Sequence, residues 1–224
     1  MKYVYLAVIA AVLGGVGMIM FGGNGDTDTT ANVGDLNPIS AAEAQDIDTS
    51  GVLEMQLGNP EAEVTVIEYA SFTCPHCATF HQNTFKELKT DYIDTGKINF
   101  IYREVYFDRF GLWAGMVARC GGPERYFGIT DLIYFGQREW TAGGDPASVS
   151  EGLRRIGRLA GLSDDQLSAC LQDGDMANAM VALYQENAAR DQINSTPSFL
   201  INGEKFSNMS LADFRSELDD KLGE

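Results

Sequence analysis

The sequence predicts an α/β domain whose β-sheet is interrupted by a long helical insertion. Three observations carry this. A β-branched run at 64–69 leads into a helical pattern from Pro75 and then a second strand-like run at 97–105, which makes a strand–helix–strand unit. From Asp108 to about Asn194 the hydrophobic period is that of helices. At Ser198-Phe199-Leu200-Ile201 the strand pattern returns, followed by the hairpin signal Asn202-Gly203. A chain of 224 residues holds one large domain, or a smaller one carrying such an insertion. With 45% hydrophobic and 21% charged residues it reads as globular.

Taken in order, residues 1–23 come first. Positions 3–23 carry no charge and, as a helix, reach about 30 Å, enough for a hydrocarbon core. Lys2 and the α-amino group precede the run and an acidic stretch follows it, so the positive-inside rule places everything after Gly23 outside the cytoplasm. The segment is expected to be an uncleaved signal-anchor that tethers the protein to the inner membrane. A cleaved signal peptide is the alternative, although Gly22-Gly23-Asn24 makes a poor cleavage site. Residues 24–50, rich in Gly, Asp, Thr, Asn and Ala, read as a flexible acidic linker. No Lys or Arg occurs between Lys2 and Lys86, and the formal net charge is -16. Such a surface repels phosphates and excludes nucleic-acid binding.

The folded part begins near Gly51. Residues 51–107 form its first portion, with a short strand at 52–57, the strand at 64–69, a helix and the strand at 97–105. Phe80, Phe85, Leu88 and Tyr92 are spaced to share one helix face, and Pro75 suits a first helical turn because its missing N–H is not needed there. Residues 108–194 form the inserted helical subdomain. Its apolar stripes are Trp113, Met116 and Val117, then Leu153, Ile156, Leu159 and Leu162, then Met176, Met180, Leu183 and Tyr184. Residues 195–224 return to the sheet and close with a helix through Leu218, N-capped by Ser210 with Asp213 at its third position.

The chemistry concentrates at Cys74-Pro75-His76-Cys77, where a buried strand turns into a helix. Disulfide exchange needs one accessible, acidic thiol and a second one able to close the ring. A C-x-x-C pair at a helix start supplies both, because unpaired N–H groups and the helix dipole favour a Cys74 thiolate. Cys77 would be the shielded, resolving thiol, and a protonated His76 would add to the stabilisation of Cys74. A stabilised thiolate is a good leaving group, so the pair should donate its disulfide. Zinc is the competing use of Cys74, His76, Cys77 and His81, but no second ligand pair is present and no metal is expected. His81 is expected on the helix surface.

The run Glu68-Tyr69-Ala70-Ser71-Phe72-Thr73-Cys74-Pro75-His76-Cys77, together with the later Ser195-Thr196-Pro197-Ser198-Phe199, resembles the DsbA family of bacterial disulfide oxidoreductases. The resemblance extends from about Val64 to the C-terminus and implies a thioredoxin fold with an inserted helical subdomain. It implies Cys74 as nucleophile, Cys77 as its partner and Pro197 as a cis-proline facing them. It also implies Thr196 as a source of backbone hydrogen bonds to bound peptide, and Glu68 as an acid beneath the site that relays a proton to Cys77. A strand-end carboxylate facing solvent is the other reading of Glu68. Cys120 and Cys170 lie in the insertion and are expected to form a structural disulfide, with two free thiols as the alternative.

The function expected from these readings is a periplasmic oxidase, monomeric and cofactor-free apart from its Cys74–Cys77 disulfide. It would oxidise reduced substrate proteins and be reoxidised by a DsbB-like, quinone-linked membrane partner. A reductase or isomerase on the same scaffold, and a membrane-tethered peptide-binding module, are the alternatives.

Overall fold

A computed structural model of the protein describes residues 47–224. The segments expected to be a membrane anchor or signal, and most of the acidic linker, lie outside the described residues. Among the described residues no helix is long and apolar enough to cross a membrane.

The sheet is built from five strands. β1 (Met55–Gly58), β2 (Val64–Ala70) and β3 (Ile98–Glu104) precede the insertion; β4 (Ser198–Ile201) and β5 (Glu204–Ser207) follow it. Their order across the sheet is β1-β3-β2-β4-β5. The pair β2/β3 is parallel, with Glu68 opposite Tyr102, as a helical crossover requires. The other neighbours run antiparallel. β2 lies in the middle of the sheet, and its Val64, Val66 and Tyr69 are fully buried or nearly so, which explains its near-continuous apolar sequence. Asn202 and Gly203, with φ of 50° and 82°, make the tight β4–β5 turn that the dipeptide predicts.

The crossover from β2 to β3 comprises α1 (Pro75–Gln82), α2 (Thr84–Leu88) and a π-helical turn over Lys89–Ile93. Phe80, Phe85, Leu88 and Tyr92 are all buried along it, sharing the face their spacing implies. The insertion contains α3 (Arg109–Cys120), α4 (Pro123–Phe135), α5 (Gln137–Trp140), α6 (Pro146–Leu159), α7 (Asp164–Leu171) and α8 (Gly174–Arg190). After the β4–β5 hairpin, α9 (Leu211–Leu222) packs Phe214 and Leu218 into the core. Ser210 accepts from the Asp213 N–H as expected, and the helix runs four residues past Leu218 to a left-handed Gly223 cap.

One apolar core joins one face of the sheet to α3, α4, α6 and α7, a smaller cluster sits between α3 and α8, and Tyr69, Val105 and Leu200 form a third on the other face of the sheet. The stripe expected in α6 is corrected at one position. Leu153, Ile156 and Leu162 are buried, but Leu159 is 73% exposed. A strict spacing of three lags a 3.6-residue helix by about 60° per step, so two steps carry Leu159 off the core face. Leu162 returns to the core after the chain turns at Gly161, where φ is 82°.

Candidate active site

Cys74 is the N-cap of α1 and Pro75 its first helical residue. The strand β2 ends four residues earlier, and the turn between is held at several points. Cys74 N–H donates to Ser71 O at 3.1 Å. Gln137 of α5 donates through one amide nitrogen to Phe72 O at 2.8 Å and Cys74 O at 3.0 Å. The Thr73 hydroxyl donates to Asp108 at 2.7 Å, and Asp108 itself N-caps α3. Phe72 is buried between the rings of Tyr102 and Tyr134. The helical insertion therefore grips the redox turn directly.

Cys74 and Cys77 are free thiols, the first half-buried and the second fully buried. Their environments push them apart. The hydrogen bond from the Cys77 thiol is the main influence lowering Cys74, to about 5, ahead of the burial that opposes it. The Thr196 side chain and the backbone N–H groups of Cys77 and His76 add to the lowering. Burial drives Cys77 far the other way, helped by the hydrogen bond to Cys74 and the nearby Glu68 charge. One proton is thus held by the inner thiol while the outer one is poised as thiolate.

The Thr196-Pro197 peptide bond is cis and faces this pair. As a thiol, Cys74 Sγ donates to Thr196 O at 3.4 Å. The Thr196 hydroxyl is buried with no other protein partner, so it is available to the Cys74 sulfur. His76 follows at the second position of α1. Its side chain is exposed, and its backbone N–H helps lower Cys74.

Beneath Cys77 lies a buried polar group. Glu68 is 0% exposed, which removes the solvent-facing reading, and accepts from or donates to His81 Nε2 at 2.9 Å. The placement of His81 corrects the surface expectation: it is 2% exposed, stacked on Tyr134 at 4.4 Å and packed against Phe85. Cys77 and His81 are four residues apart, so they share one helix face, and that spacing was the signal available in the sequence. Tyr102 and Tyr134 complete the group through a 2.6 Å hydroxyl–hydroxyl bond. Gln137 and Asp108 are further site residues that no motif announced, and Thr73 lies within the Glu68–Cys77 run without a role that the resemblance implies. No cluster of metal-binding side chains occurs among the described residues.

Away from the turn, Cys120 and Cys170 are joined with an S–S distance of 2.10 Å, linking the end of α3 to α7. Arg119 beside it makes a two-armed ion pair with the buried Glu104, which also accepts from Tyr126 at 2.8 Å.

A thioredoxin family model matches residues 50–220. Over 172 residues the chain is 36% identical to a Rickettsia conorii protein provisionally named protein-disulfide oxidoreductase, covering 76% of this chain and 61% of that one. The corresponding Rickettsia bellii protein is 34% identical over 76% of this chain and 65% of its own length. The chain thus spans less than two thirds of these relatives. The crystal structure of Wolbachia pipientis alpha-DsbA1 superposes with a TM-score of 0.70 at 31% identity, covering 76% of this chain and 91% of that one. Oxidised BdbD from Bacillus subtilis shares the fold, with a TM-score of 0.63 at 18% identity over 76% and 94% of the two chains.

Proposed function

Because the chain belongs to the DsbA-like branch of the thioredoxin superfamily, we propose that it is a protein-disulfide oxidoreductase that donates a Cys74–Cys77 disulfide to reduced proteins. The observation that carries this is the division of acidity within the pair, with Cys74 lowered to about 5 and Cys77 raised by burial. A substrate thiolate attacks Cys74 Sγ, the S–S bond breaks, and Cys77 leaves and takes up a proton. A second substrate thiolate then attacks the substrate sulfur of the mixed disulfide. The substrate disulfide forms, and Cys74 leaves as a stable thiolate. Two electrons pass to the enzyme, and the easily released Cys74 thiolate favours that direction.

The remaining residues take roles consistent with this. Pro197 and Thr196 present the loop against which an extended substrate lies, with Thr196 backbone groups hydrogen-bonding to it. Glu68 exchanges the proton of Cys77. The Cys120–Cys170 bridge is structural. The enzyme works in the periplasm, where disulfides persist, either tethered by residues 3–23 or released after their cleavage. It acts as a monomer, and a DsbB-like quinone-linked membrane protein returns it to the disulfide. Oxidative refolding of a reduced disulfide-containing protein tests this. The oxidised protein is expected to restore activity to the refolding substrate stoichiometrically, and Cys74→Ser to abolish it. Equal refolding yields with and without Cys74 would overturn the proposal.

A further inference from the structure

Cys77 must gain a proton when substrate is oxidised and lose it when the enzyme is reoxidised, yet it is fully buried and the outer face of the pair is where a protein substrate lies. Glu68, next to it, is equally buried. A second way to solvent is visible from the other side. A pocket of about 240 Å³ opens between α1 and α4, lined by His81, Gln82, Lys86, Gly128, Asp131 and Tyr134 among others. None of its lining residues belongs to the Cys74–Cys77 turn or the Thr196-Pro197 loop. His81 and Tyr134 are its only buried lining residues and so form its inner end, whereas Gln82, Lys86, Gly128 and Asp131 are exposed. Gln82 bridges the two helices by donating to Tyr134 O at 2.8 Å.

We propose that His81 is a proton-relay residue that connects Glu68 and Cys77 to solvent through the α1–α4 pocket. Nε2 of the ring is engaged with Glu68 at 2.9 Å, while Nδ1 is buried with no protein partner. With the hydrogen on Nε2 donating to the carboxylate, Nδ1 is an acceptor. On substrate oxidation Nδ1 takes a proton arriving through the pocket, Nε2 passes its own to Glu68, and Glu68 delivers it to the departing Cys77 sulfur. When Cys77 next attacks a mixed disulfide at Cys74, the proton retraces the same atoms outward and restores the original tautomer. One proton enters and one leaves per cycle. The groups facing His81 are Glu68 from β2, Tyr102 from β3, Cys77 on α1 itself, Tyr134 and Asp131 from α4, and Lys86 from α2. Lys86 and Asp131 lie exposed at the mouth of the pocket, with Lys89 also near Asp131.

This relay rests on the Cys74–Cys77 exchange chemistry proposed above but not on its direction. The test is single-turnover oxidation of the reduced full-length protein by glutathione disulfide, followed from pH 5 to 9 by rapid mixing. The first step forms the Cys74–glutathione mixed disulfide; the second is attack by Cys77 on Cys74 Sγ with release of glutathione. Two variants are compared with the parent. His81→Gln keeps an amide donor for Glu68 but cannot relay. Gly128→Leu adds a bulky side chain at the exposed rim of the pocket without touching the buried pair, since a Cβ there meets no atom within 4 Å. Both are expected to slow the second step by about tenfold or more, part of the roughly hundredfold or greater contribution of a positioned proton-transfer group, and to leave the first unchanged. Should His81→Gln fail to fold, Gly128→Leu alone decides. A Gly128→Leu protein that resolves at the parent rate at every pH, or slows both steps equally, overturns the relay. A strongly reducing potential measured for the pair would instead overturn the donor assignment and leave the relay standing.

Discussion

Cys74 and Cys77 start from the same ordinary thiol value of 9.0 and are separated by where the fold puts them. Cys74 caps a helix and receives hydrogen bonds; Cys77, one turn on, is packed under it. In the reduced protein the 240 nm thiolate absorbance is expected to titrate once, near 5, with no second step up to pH 9. A single midpoint near 8 or 9 would contradict the division. The same shifts set how stability depends on pH. Lowering Cys74 stabilises the folded reduced form fully above 9 and loses that effect as pH falls to about 5, while the raised Cys77 costs stability above 9. The urea midpoint of the reduced form, compared with the oxidised one, is therefore expected to climb from pH 5 to 9 and decline beyond. A flat difference would contradict it.

At the scale of elements, the redox turn is held by the insertion. Gln137 is the clearest case, because one side-chain nitrogen serves two carbonyls of the turn. Gln137→Leu leaves both without that donor and is expected to cost about 2 kcal/mol in denaturant unfolding, within the range for an unsatisfied buried group. Unchanged stability would show that the turn holds itself. The Cys120–Cys170 bridge closes a separation of 50 residues, for which the chain-entropy description gives about 4 kcal/mol. Replacing both cysteines by Ser should lower stability by up to that amount while exchange at Cys74 continues. Loss of exchange with stability intact would point to a catalytic role instead. Arg119→Leu should cost about 3 kcal/mol or more in the same measurement, because it strands the buried Glu104 carboxylate. Elements themselves were legible early. The 64–69 run, the Pro75 start, the Asn202-Gly203 turn and the Ser210 cap each act through contacts within a few residues, so local sequence carries them. Glu68–His81, Gln137–Cys74 and Thr73–Asp108 join residues 13, 63 and 35 apart. Such pairings are decided by how helices settle on the sheet, and no short motif encodes them.

Over the whole molecule, the strand–helix–strand unit, the helical insertion and the closing hairpin and helix assemble so that two distant segments meet. Cys74 follows β2 and Pro197 precedes β4, and these strands are direct neighbours in the sheet. That adjacency brings the Thr196 carbonyl within 3.4 Å of the Cys74 sulfur across 122 residues of sequence. The resemblance implied this meeting; hydrophobic periodicity alone could place each segment on a strand but not the strands side by side. The chain's formal net charge of -16 disfavours phosphate-bearing partners. The most direct measurement is the equilibrium reduction potential of Cys74–Cys77 in the full-length protein against glutathione. A disulfide donor should lie near the oxidising end of the thioredoxin superfamily, closer to about -120 mV than to about -270 mV. A value at or below about -270 mV would contradict the donor assignment and make the same two cysteines those of a reductase.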